Sequence, residues 1–170
     1  MTKSQRKIRI SHIAHVYYKY ADLDAARLFF LAFGFCEIAR VTNHIEIQQA
    51  DERDRNKIYF RGYGVEPFIL CAIQSGNKEK NEFGGAAFAV ETEDDLFLAA
   101  ATIPGASEVH DLHDAPGDGR RVTFPDPVDG YPMHLVYGQK KVPMMNPSLP
   151  HEAVNYVSSI HTPASTQISW

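Results

Sequence analysis

The stretch IRISHIAHVYYKYADLDAARLFFLAFGF, residues 8–35, decides the fold reading. Its first part, 8–20, is dense in β-branched and aromatic residues and predicts a strand. Asp22 or Asp24 then offers a carboxylate to the open N–H groups of a helix start. Leu23 to Phe33 is a strongly apolar helical run, with Asp24 and Arg27 marking its wet side. Gly34 suits the left-handed position just past a helix end. Phe35–Val41 predicts a second strand. Residues 42–57 are polar and charged, with HIEIQ at 44–48 a candidate extra strand. Lys57–Arg61 and Pro67–Ile73 predict two more, separated by the turn GYGVE. The first half therefore reads β-α-β-β-β.

After the polar segment SGNKEKNE (75–82) the pattern restarts. GGAAFAVE (84–91) predicts a strand, and Thr92-Glu93-Asp94-Asp95 a helix start of capping-box type. Leu96–Ile103 continues that helix and Pro104-Gly105 stops it. Ser107–His110, Arg120–Phe124 and Met133–Tyr137 predict three short strands, so the second half is β-α-β-β-β again. The expected division is an N-terminal arm at 1–7, a first module at 8–74, a linker at 75–82, a second module at 83–138 and a tail at 139–170. The tail lacks periodicity and is expected to pack loosely or to wrap a neighbour. The fold class expected is α+β: two βαβββ modules forming a curved mixed sheet around a central cleft, lined by every second strand residue.

The bulk properties narrow the function classes. The chain has 170 residues, 44% of them hydrophobic and 11% aromatic, enough for a sizeable core. A formal net charge of −4 argues against a nucleic-acid partner, which calls for a basic stripe. The run Asp51-Glu52-Arg53-Asp54-Arg55 mixes signs and reads as a solvated loop. No run is apolar enough for a membrane span, and the basic N-terminus has no apolar core of a signal peptide. Cys36 and Cys71 both sit in apolar runs and read as free thiols. A cytoplasmic protein is expected.

The repeat and its motifs resemble the vicinal oxygen chelate superfamily of glyoxalases, bleomycin-resistance proteins and type I extradiol dioxygenases. HVYYKYADLDAARLFFLAFGF (15–35) is similar to the family's opening phrase, and FPDPVDGYPMHLVYG (124–138) to its closing one. The resemblance covers about residues 8–140. IYFRGYGVEPFILCA and FGGAAFAVE look closest to the N-terminal half of fungal-type extradiol-dioxygenase-like proteins. In two-domain extradiol enzymes the working iron site lies in the C-terminal half. The resemblance also implies an edge-to-edge homodimer.

The family builds its metal site from residues on the first and last strands of the modules. His15 falls on the first-strand position and His134 on the last, where the family often has glutamate. The equivalent place on the second module's first strand is Gly85 or Ala86, and neither can ligate. Two imidazoles without a carboxylate make a poor Fe(II) site, whereas Zn or Cu could be held weakly. If any metal binds, His15 and His134 are its ligands, with His110 and His113 available for recruitment. The leading expectation is no cofactor, with Fe(II) or another divalent metal as the alternative. His15 and His134 are then candidate catalytic residues, neutral near pH 7 because an apolar cleft disfavours their charged forms.

Tyr17 shares the face of His15, Tyr59 and Arg61 share a face, and Tyr63 lies on the following turn. These four are candidate substrate-binding residues, suited to a phenolic or polyketide-like molecule. The competing structural reading packs Tyr18 and Tyr20 under the first helix and pairs Arg61 with Glu66. The functional expectation is a metal-independent isomerase, cyclase or lyase of secondary metabolism. The alternatives are a metal-dependent extradiol-type dioxygenase and a ligand-sequestering protein.

Overall fold

The computed structural model describes residues 6–41 and 56–146. Strand β1 (Ile10–Tyr20) leads into helix α1 (Leu23–Ala32). Asp22 is the N-cap, its Oδ1 accepting the Ala25 N–H at 2.8 Å. Gly34, at φ +98°, turns the chain out of the helix, a backbone conformation that other residues avoid. Strands β2 (Cys36–Val41), β3 (Lys57–Arg61) and β4 (Leu70–Gln74) complete the first unit.

The second unit repeats the order: β5 (Glu82–Val90), α2 (Glu93–Thr102), β6 (His110–Asp111), β7 (Arg120–Pro125) and β8 (Pro132–Tyr137). At the start of α2 the buried Asp95 carboxylate accepts from the Thr92 N–H at 3.2 Å and from the Thr92 hydroxyl at 2.7 Å. Arg6 and Arg9 lie 3.2 and 3.7 Å from the same carboxylate and tie the N-terminal arm to this helix.

All eight strands form one sheet in the order β2-β3-β4-β1-β5-β8-β7-β6. β1 and β5 pair antiparallel at its centre. Each then has its own unit's last strand as a parallel neighbour, β4 beside β1 and β8 beside β5. The two halves thus repeat one another across the central pair. The helices cover one face, α1 over Ile58, Phe60, Leu70 and Ala72, and α2 over Val90, Val122 and Leu135. A third cluster fills the opposite face and joins Tyr59 of β3 to Val136 of β8. Three strands stand between them in the sheet, so the sheet curls around this inner core.

Several element limits differ from expectation. β4 starts at Leu70, not Pro67, because proline has no N–H to give a ladder. β6 shrinks to His110–Asp111; Ser107 instead meets Thr123 partly through its side chain, whose Oγ accepts the Thr123 N–H at 3.0 Å. β5 begins at Glu82, inside the expected linker. The candidate strand at 44–48 lies outside the described residues.

The expected loose tail is tightly held where it is described. Lys140 N–H donates to the Gly117 carbonyl at 2.8 Å, Val142 N–H to Val65 and Met145 N–H to Tyr63, both at 2.9 Å. Three main-chain bonds strap residues 140–145 across the two units. Among the described residues no helix is long and apolar enough to cross a membrane. Cys36 and Cys71 are both free thiols.

Candidate functional site

Strand alternation sends Lys57 and Tyr59 of β3, and Arg121 and Thr123 of β7, to the inner face, while Ile58, Phe60 and Val122 pack outward under the helices. These residues, with Tyr17, Cys71 and His134, line a cavity of about 180 Å³ between the two halves. The segment after β6 reaches across to β3 and walls its side. Leu112 and Ala115 are buried there, the Tyr59 hydroxyl donates to the Asp114 carbonyl at 3.0 Å, and Lys57 Nζ stands 3.5 Å from Asp114 Oδ2.

One polar chain runs through the wall. Arg121 Nη1 donates to the Tyr17 hydroxyl at 3.3 Å, and that hydroxyl lies 3.0 Å from His15 Nε2. Arg121 Nε donates to His110 Nε2 at 3.3 Å. With Nε2 as the acceptor of that bond, His110 Nδ1 faces the Glu108 carbonyl 3.2 Å away. His134 Nδ1 is 2.8 Å from the Thr123 hydroxyl, which serves either tautomer, and its ring meets Tyr17 edge-on at 5.0 Å.

Gly85 explains how the His134 ring fits. Its φ is +123°, and a Cβ there would lie 2.9 Å from His134 Nε2 and 2.4 Å from the Pro132 carbonyl oxygen. The position that resembles a ligand site is thus occupied by the neighbouring imidazole.

Burial sets the charge states. Loss of solvation pushes the His15 pKa down to about 3, helped by His134 and Arg121. The same cause, with Arg121 and His110, lowers His134 to about 3. Burial raises Tyr17 and Tyr59 above the ordinary phenol range and lifts the Cys71 thiol to about 12. At neutral pH the imidazoles, phenols and thiol are uncharged.

The sequence-expected residues divide into three groups. His134, Tyr17 and Tyr59 are on the cavity wall. His15 is 2% exposed, packs on Phe68 at 4.0 Å, has no partner for Nδ1 and reaches the cavity only through the Tyr17 hydroxyl. Arg61 and Tyr63 are not brought to it. Arg61 donates to the carbonyls of Gly62, Gly64 and Pro143, and Tyr63 presents its carbonyl to the strap. The alternative Arg61–Glu66 pair does not form either: Glu66 accepts from His12 and Lys141. Tyr18 and Tyr20 do pack beneath α1. Sequence reasoning missed Lys57, Cys71, Asp114, Arg121 and Thr123. Lys57 was within reach, two residues before Tyr59 on one strand face.

The donor set does not fit Fe(II). Among the described residues no group of three or more His, Cys, Asp or Glu side chains could hold a metal ion. His15 Nε2 meets Tyr17, His134 Nδ1 meets Thr123, Gly85 supplies no donor, and the Arg121 cation sits beside both imidazoles. His113 is 82% exposed beside Asp111, and His110 Nε2 accepts from Arg121.

Comparison with solved structures places this architecture. The Mn(II)-bound glyoxalase from Novosphingobium aromaticivorans is 20% identical with a TM-score of 0.66, over 82% of this chain and 43% of that one. A variant of homoprotocatechuate 2,3-dioxygenase from Brevibacterium fuscum is 18% identical with a TM-score of 0.62, over 85% and 37%. The chain spans less than half the length of these structures. At such identities the likeness is one of fold alone, the vicinal oxygen chelate fold. No protein-family model and no curated protein matches the sequence.

Proposed function

We propose that the cavity belongs to a small-molecule enzyme working without a metal, as an isomerase, cyclase or lyase on a phenolic or polyketide-like intermediate of secondary metabolism. The observation that carries this reading is the Arg121–Tyr17 pair beside the neutral His134 in one cavity. The three reaction types share an enolisation step. A substrate carbonyl oxygen against Arg121 and the Tyr17 hydroxyl has its developing negative charge stabilised. His134 takes the proton from the adjacent carbon and returns it at another position, so no electron acceptor is needed. Thr123 serves the other ring nitrogen throughout. His15 positions the Tyr17 hydroxyl and does not touch the substrate.

Two measurements test this. Protein purified without chelator is expected to carry far less than one metal ion per chain by elemental analysis. Stoichiometric iron or manganese sinks the reading and restores the metal-dependent dioxygenase alternative. In D₂O, the acidic C–H of an aryl 1,3-diketone is expected to exchange faster with the protein present. His134→Ala should reduce that catalysed rate by about 10²–10⁴-fold. If the diketone binds and exchange is unaffected by His134→Ala, ligand sequestration becomes the function.

A further inference from the structure

Among the described arginines, Arg61 and Arg121 are the two without a carboxylate partner. Arg6, Arg9, Arg27, Arg40 and Arg120 each pair with a carboxylate. Arg61 is bound by three carbonyl oxygens. Arg121 is half-buried, and among the described residues its two hydrogen bonds go to His110 and Tyr17, neither of them a carboxylate. A guanidinium has five N–H groups, so three of them remain. A cation withdrawn from water without a counter-charge is costly to fold. Lys57, the other cavity cation, already has Asp114 near it. The cavity lining therefore carries one positive charge in excess, against walls of Tyr17, Tyr59, Ile73, Leu112 and Pro132.

We propose that the natural ligand is an organic monoanion, a carboxylate on a flat apolar skeleton, with Arg121 as its counter-ion. This rests on the cavity being the ligand site of the preceding section and adds the substrate's charge and class. A planar fork matches a carboxylate through two parallel hydrogen bonds, and flat aromatic walls match a conjugated body. The bound negative charge would also offset the field of Arg121 at His134. That moves the imidazole back towards the range where a general base is effective.

The probes are 2-naphthoate and its uncharged isostere 2-naphthamide, titrated into the full chain at pH 7 and low salt by calorimetry, with cavity resonances followed by NMR. The carboxylate is expected to bind roughly ten- to hundredfold more tightly than the amide. Arg121→Gln should abolish that preference, so that carboxylate and amide bind equally. Arg121→Lys, which keeps the charge without the fork, should retain the preference and lose affinity, and it serves should the glutamine variant not fold. Equal affinities in the unaltered protein overturn the anion inference but leave the cavity as a binding site. Failure of both probes to bind overturns both. A preference that persists in Arg121→Gln and disappears in Lys57→Gln overturns the assignment to Arg121.

Discussion

Acidification is expected to destabilise this protein before its carboxylates begin to titrate. His15 and His134 have folded-state pKa values of about 3, against 6.5 for an unburied imidazole. Between those limits the unfolded chain binds two protons that the folded chain refuses. The penalty is absent above pH 6.5, grows as pH falls towards 3, and is constant below that. Each histidine contributes about 1.4 kcal/mol per pH unit, so together they remove about 2.7 kcal/mol per unit. A domain with the usual reserve of about 5–15 kcal/mol loses much or all of it within about two to three units of pH 6.5. Urea unfolding from pH 7 to 4.5 should show this slope. His15→Gln keeps a hydrogen-bonding group for Tyr17 without an ionisable ring and should roughly halve the slope. A slope unchanged in both His15→Gln and His134→Gln would rule out the histidines as its source. Asp95, whose pKa is lowered by its Thr92 hydrogen bonds, loses its contribution only below the ordinary carboxylate range, outside this window.

The largest single-residue loss is expected at Gly85. Its φ of +123° is a conformation that side chains rarely adopt, and an added Cβ would overlap the Pro132 carbonyl at 2.4 Å. A main-chain atom cannot move aside as a flexible side-chain tip does. Gly85→Ala therefore combines backbone strain with overpacking, for a cost of about 2–4 kcal/mol. The lower urea midpoint should come with an unchanged m-value. The Cβ also intrudes 2.9 Å from His134 Nε2, so the variant should lose part of the acid sensitivity by pushing that ring towards water. A loss under about 1 kcal/mol would show that the ring and strand relax freely. Reinstalling a metal ligand at position 85 meets the same barrier.

The repeat was readable because caps and strand composition are local. Asp22, Gly34 and Thr92 stand where helix ends require them, and short-range chemistry decides those positions. The cavity was readable only in part. His134 follows from its strand phrase, but the adjacent pair Arg120-Arg121 cannot reveal which arginine faces inward. Register decides that: Arg121 opposes Val136 on β8, and Arg120 turns out to pair with Glu93 and Asp111. Arg61 misled for a related reason. Its strand parity points to the inner face, yet it stands at the strand's end, where carbonyls of a turn and of a sequence-distant segment capture it. His15 was placed on the right strand, but the Tyr17 hydroxyl, contributed two residues later, stands between it and the cavity.

The strap at 140–145 changes what the connection between the two units has to do. The units are already joined along β1 and β5, and the strap adds a second seam from Val142 and Met145 back to the first unit. With two seams in place, the peptide segment around 76–80 is expected to act as a leash and not a hinge. Severing that leash should leave the two pieces assembled. New chain ends could be opened there and the order of the halves exchanged, with the cavity kept whole.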